Sequence, residues 1–149
     1  MRKFISIIGF ACAVLFLCPV NAQNGKSTMV LEISGFASSD GMARILIFQS
    51  ANKKSFPKDV SKAYRSKIVS IKNNSVVVEF ADLPNGDYAA SVHHDENNDG
   101  KVNTNFIGIP TEGFGATNDA KGNFGPPSFD QAKVSLYNQK SIFRIKIVN

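Results

Sequence analysis

Ile142-Phe143-Arg144-Ile145-Lys146-Ile147-Val148 puts Phe143, Ile145 and Ile147 on one face of an extended chain and Arg144 and Lys146 on the other. A period of two marks a strand with one covered and one wet face. Six upstream segments also read as strands. Residues 29–36 alternate through Leu31 and Ile33 against Glu32 and Ser34, and 67–72 through Ile68 and Ser70. Residues 44–49 are apolar on both faces, as a central strand should be. Residues 76–80, 88–94 and 133–137 complete the set.

Turn signals separate these runs. Ser38-Ser39-Asp40-Gly41 divides the first two, Lys72-Asn73-Asn74-Ser75 the third and fourth, and Pro84-Asn85-Gly86-Asp87 leads tightly into Tyr88. Short strands at hairpin spacing, with hardly any helical periodicity, predict an all-β antiparallel sandwich of about seven strands. One helical turn is expected around 59–64, after Phe56-Pro57.

The stretch 95–131 breaks the pattern. It is rich in Gly, Pro and Asn, and a connection this long is either functional or disordered. Phe106, Ile107, Ile109, Phe114, Phe124 and Phe129 recur through it, and disordered segments lack such anchors. It reads as a long ordered loop whose aromatics pack onto the sandwich.

Its opening, Asp95-Glu96-Asn97-Asn98-Asp99-Gly100-Lys101-Val102-Asn103, carries oxygen side chains at positions one, three and five, Gly at six and Asn at nine. Ca²⁺ is a hard cation that takes six to eight oxygens, and alternating oxygen side chains converge when the chain curls tightly. Asp95, Asn97, Asp99, the Lys101 carbonyl and Asn103 are the candidate ligands. Position twelve, a bidentate Glu in the full motif, is Phe106, so Glu112 from farther along is the candidate replacement. With few acids the expected affinity is weak, roughly 10⁻⁴ to 10⁻³ M. The competing reading is a solvated hairpin, because Asp99-Gly100 is also a favoured turn.

His93-His94 cannot chelate one ion, since adjacent strand residues face opposite ways. One is expected to be packed and the other at the surface, with His94 beside Asp95 as a supporting group. No nucleophile elbow, zinc-protease motif or phosphate loop occurs, so no enzyme is predicted. Asn73-Asn74-Ser75 is a glycosylation sequon by spelling only.

Arg2 and Lys3, the apolar run 4–17 and Val20-Asn21-Ala22 form a signal peptide, with cleavage expected after Ala22. The run is shorter than the roughly 20 residues of a membrane span and ends at Pro19. Leu17 before Cys18 speaks against lipid attachment. Cys12 and Cys18 both leave with the leader, so the 23–149 domain has no thiol or disulfide. The whole chain holds 17 Lys and Arg against 12 Asp and Glu, and losing Arg2 and Lys3 leaves three more cations than acids. So small an excess is no footprint for nucleic acid. Lys53, Lys54, Lys58, Lys62, Arg65 and Lys67 read as a solvated face.

Four blocks carry a resemblance. Leu83-Pro84-Asn85-Gly86-Asp87-Tyr88-Ala89-Ala90-Ser91-Val92, His94 to Lys101, and Asn105 to Gly115 followed by Phe124-Gly125-Pro126-Pro127-Ser128-Phe129 resemble the exported bacterial family known as domain of unknown function 2141. The resemblance implies an immunoglobulin-like or transthyretin-like sandwich and no particular activity. Leu-Pro-x-Gly-x-Tyr is also similar to B-type repeats of bacterial surface adhesins, some of which hold structural calcium in such a loop.

The expectation is an exported, periplasmic or extracellular β-sandwich module without enzymatic activity or a transmembrane anchor. It would carry a structural calcium loop and bind an envelope protein or glycan. The alternative is a carbohydrate-binding or carbohydrate-processing accessory, built on loop aromatics with Asp95, Asp99 or Glu112.

Overall fold

The alternation at 142–148 is realised in the computed structural model, which describes residues 25–107, 109–123 and 125–149. The signal-peptide reading of 1–22, and Gly108 and Phe124 of the long loop, lie outside the described residues. Among the described residues no helix is long and apolar enough to cross a membrane.

Among the described residues eight strands form two sheets: β1 Lys26–Ser34, β2 Met42–Gln49, β3 Arg65–Ser70, β4 Ser75–Pro84, β5 Gly86–Asp95, β6 Phe114–Ala116, β7 Val134–Leu136 and β8 Lys140–Lys146. One sheet runs β4-β1-β8 and the other β3-β2-β5-β6, with β7 on the same edge of β5 as β6. The sandwich is therefore antiparallel as expected except at β1 and β8, which pair in parallel with Ile33 opposite Ile145. The long connection expected over 95–131 is also interrupted. It contains β6, which the sequence reading missed, a 3₁₀ turn at Thr117–Asp119 and a turn of α-helix, α1 Phe129–Ala132, capped by Ser128 and Gln131. A strand of three residues gives too short an alternation to read. The turn expected near 59–64 is present at Val60–Lys62.

The inner faces follow from the alternation. Met29, Leu31 and Ile33 of β1, Val76, Val78 and Phe80 of β4, and Ile145 of β8 meet Ile45 and Ile47 of β2 and Tyr88, Ala90 and Val92 of β5 in one buried cluster. Tyr88 is fully buried, and its hydroxyl donates to the Pro84 carbonyl at 2.6 Å and accepts from Gln49 at 3.1 Å. Burial pushes that hydroxyl's pKa up, against a smaller opposing pull from the Gln49 hydrogen bond. The motif tyrosine thus fixes the β4–β5 corner.

The outer face of the five-stranded sheet is only half covered. At one end Phe48 and Ala89 pack under Phe56, Phe129 and Ala132 in a second small core. The other end lies beneath the 96–112 segment. The lysines from 53 to 67 are solvent-exposed, as the sequence predicts.

Candidate functional site

Because β5 is central, each of its residues must face either the sandwich or the outer surface. Tyr88, Ala90, Val92 and His94 turn inward, and Ala89, Ser91, His93 and Asp95 outward. On β2 the outward set is Arg44, Leu46 and Phe48. The two histidines do take opposite faces, but both are largely buried, which corrects the expectation that one lies at the surface. His94 is fully buried, edge-on to Phe36 at 5.2 Å, and its Nε2 lies 3.0 Å from the Asp40 carbonyl. Its Nδ1 sits 3.5 Å from Glu96. It plugs the end of the sandwich. His93 lies on the outer face, stacked on Phe114 at 4.7 Å, and its Nε2 donates to Glu112 at 2.8 Å.

Glu112 is buried, and its two oxygens collect four donors in all. Besides His93 these are the Glu96 N–H at 3.1 Å, the Asn103 N–H at 3.0 Å and the Asn103 side-chain amide at 3.3 Å. Burial alone would raise its pKa. The Asn103 N–H, then His93 and the Glu96 N–H, outweigh it, and the carboxyl is held below its usual range.

Asp95 follows the same rule. Its side chain is fully buried; it pairs with Arg44 and accepts from the Asp99 and Gly100 N–H groups at 3.2 and 3.0 Å. Burial again raises, and Arg44 with the Gly100 N–H overcomes it, leaving the pKa lowered. Gly100 has a φ of +77°, and a Cβ there would stand 3.2 Å from the Arg44 guanidinium. Glycine at this position serves both the turn and the ion pair.

The six residues proposed from sequence therefore divide into two neighbouring groups. Asp95, Asn97, Asp99 and Lys101 form one curl, in which the Asn97 Oδ1 accepts from the Asp99 N–H at 3.1 Å and the Asp99 Oδ1 from the Lys101 N–H at 2.7 Å. Asn103 and Glu112 instead bond to each other. Among the described residues no group of three or more His, Cys, Asp and Glu side chains is gathered to hold a metal ion. The positive charge beside Asp95 comes from Arg44. Sequence reasoning passed over this residue, although a lone charge in a strand covered on both faces demands a buried partner.

Beyond Asn103 the chain forms a small hairpin. The Thr111 N–H donates to the Asn103 carbonyl at 2.9 Å and the Asn105 N–H to the Ile109 carbonyl at 2.8 Å. Its tip points into solvent: Phe106 is 99 % exposed, Ile107 64 % and Ile109 54 %. This corrects the expectation that the loop aromatics pack inward. Phe129 does so and Phe114 partly, but the tip is held by its own backbone and by Asn105, whose oxygen accepts from Ile107 and Ile109.

Between this segment and residues 120–122 and 125–127 lies a groove of about 850 Å³ over the outer sheet face. Leu46, Ile68, Ser91, His93, Phe114 and Ala116 contribute to its floor; Pro57, Val60, Val102, Pro110 and Pro126 line its walls. Volumes of this order are typical of small-molecule sites.

Neither curated proteins nor solved structures give a match to the chain, so the likeness to adhesin repeats finds no counterpart there. Residues 31–143 do match a family described as "Uncharacterized protein conserved in bacteria (DUF2141)". That span runs from β1 into β8 and includes the groove floor, both buried carboxylates and the exposed hairpin, and the chain belongs to this family.

Proposed function

We propose that the chain is an exported, non-enzymatic binding module of the bacterial envelope, with the groove over the outer sheet face as its binding surface. The observation that carries this reading is the work given to Asp95 and Glu112. Each is buried, each is held as the anion, and each is surrounded by donors that pin the 96–112 segment above the sheet. A carboxyl held in this way is a poor general acid, because catalysis needs a pKa near the working pH. It is a good brace.

The alternating oxygen side chains of Asp95, Asn97 and Asp99 are what support a structural calcium ion, although as folded these oxygens are taken by backbone N–H groups and Arg44. The ion would take oxygens from these residues and the Lys101 carbonyl, replacing Arg44 as the charge beside Asp95, while Asn103 and Glu112 clamp the far side. A thermal melt of the purified protein in millimolar Ca²⁺ tests this. The melting temperature should rise, Asp99→Ala should abolish the rise, and Arg44→Gln should enlarge it. A melt indifferent to Ca²⁺ removes the ion from the proposal.

The carbohydrate reading rests on the two aromatic side chains that line the groove, His93 and Phe114. Glycan-array binding tests it, and loss of signal in Phe114→Ala would place the glycan in the groove.

A further inference from the structure

The groove is chemically lopsided. Its floor and walls are largely apolar, through Leu46, Ile68, Phe114, Val60 and Pro126. Two acids line it: Glu112, buried and holding His93 and Asn103, and Asp119, which accepts from the neutral Lys146 backbone N–H at 2.8 Å and keeps its charge. The lysines divide differently. Lys67 also lines the groove, but its ammonium bonds the Glu79 carbonyl at 2.6 Å. Lys58, Lys121 and Lys146 line it too, and among the described residues none of them is in an ion pair. The result is an apolar trough whose lining holds four lysines against two acids, an excess of positive charge.

We infer that the groove takes a single-chain amphiphilic anion, an alkyl or aryl body ending in one carboxylate. The apolar body lies along Leu46, Ile68 and the His93–Phe114 stack, and the head group meets Lys58 and Lys121. Burial of the body supplies most of the affinity, and the rim selects the charge. This inference rests on the groove being the binding face and adds the class of ligand.

The test is an amide chemical-shift titration of the purified protein with octanoate, octanol and octyltrimethylammonium, each kept below its aggregation threshold. Octanoate should give saturable shifts centred on Leu46, Ser91, His93 and Phe114. Octanol should bind about tenfold more weakly and the cation not at all. Combining Lys58→Glu with Lys121→Glu, both solvent-exposed, should weaken octanoate about tenfold and leave octanol unchanged. Equal binding of octanoate and octanol would overturn the choice of an anion while leaving the groove as a binding face. Shifts confined to the Phe106 tip, or no saturable shift with any ligand, would overturn the amphiphile altogether. The groove itself would then fall only if the glycan array were also silent.

Discussion

Arg44 and Asp95 are held together across neighbouring strands, the aspartate side chain fully buried and the arginine side chain 29 % exposed. The pair joins β2 to the first residue of the curl, so it couples the sheet to the loop above it. Removing the cation strands the anion. Arg44→Ala is expected to destabilise the protein by about 2–3 kcal/mol in urea denaturation, below the 3–5 of a fully enclosed pair because Arg44 keeps some water. A loss under 0.5 kcal/mol would show that the Asp99 and Gly100 N–H groups suffice alone.

Glu112→Gln keeps the shape and removes the charge. One side-chain oxygen becomes an NH₂ facing groups that are themselves donors, from His93, Glu96 and Asn103. The expected cost is about 1–3 kcal/mol. Hydrogen exchange at the Glu96 and Asn103 amides should speed up before the β2 and β5 amides change.

Acid should loosen the same region. Asp95 and Glu112 both titrate lower when folded than when unfolded, so the stability they lend is complete above the ordinary carboxylate pKa. It declines as pH falls from about 5 through the folded values, where protons bind the unfolded chain first. Stability measured between pH 7 and 3 should drop over that window. The drop should be shallower in Glu112→Gln, and an unchanged slope would discount Glu112 as a source.

The two loop phenylalanines should respond oppositely to truncation. Phe106→Ser removes a ring that touches mainly water and should move stability by less than about 0.5 kcal/mol. Phe129→Ala opens the small core under Phe56 and should cost about 3–5 kcal/mol. Paired melts of the two variants check both.

Much of the sandwich was legible because its signals are local. Phe143, Ile145 and Ile147 alternate with charges, and the Asn-Gly at 85–86 marks its corner whatever lies elsewhere. What stayed hidden depends on partners distant in sequence. β6 exists because Phe114 finds β5 on one side and Val148 on the other, a fact no three-residue window contains. Asp95 and Glu112 were both picked out as oxygen donors. The four hydrogen bonds on Glu112 come from residues scattered between 93 and 103, however, and only the folded chain shows them. Phe106 misled because its hydrophobicity suggested burial, whereas the hairpin around it closes through its own backbone.

The parallel pairing of β1 with β8 has a consequence for biogenesis. β1 occupies the middle of its sheet, between β4 and β8, so its second edge stays open until residues 140–146 arrive. A chain lacking them carries β1 paired on one edge only. The three-stranded layer is thus completed by a segment more than a hundred residues downstream of the strand it covers, which makes its formation a long-range and slow event.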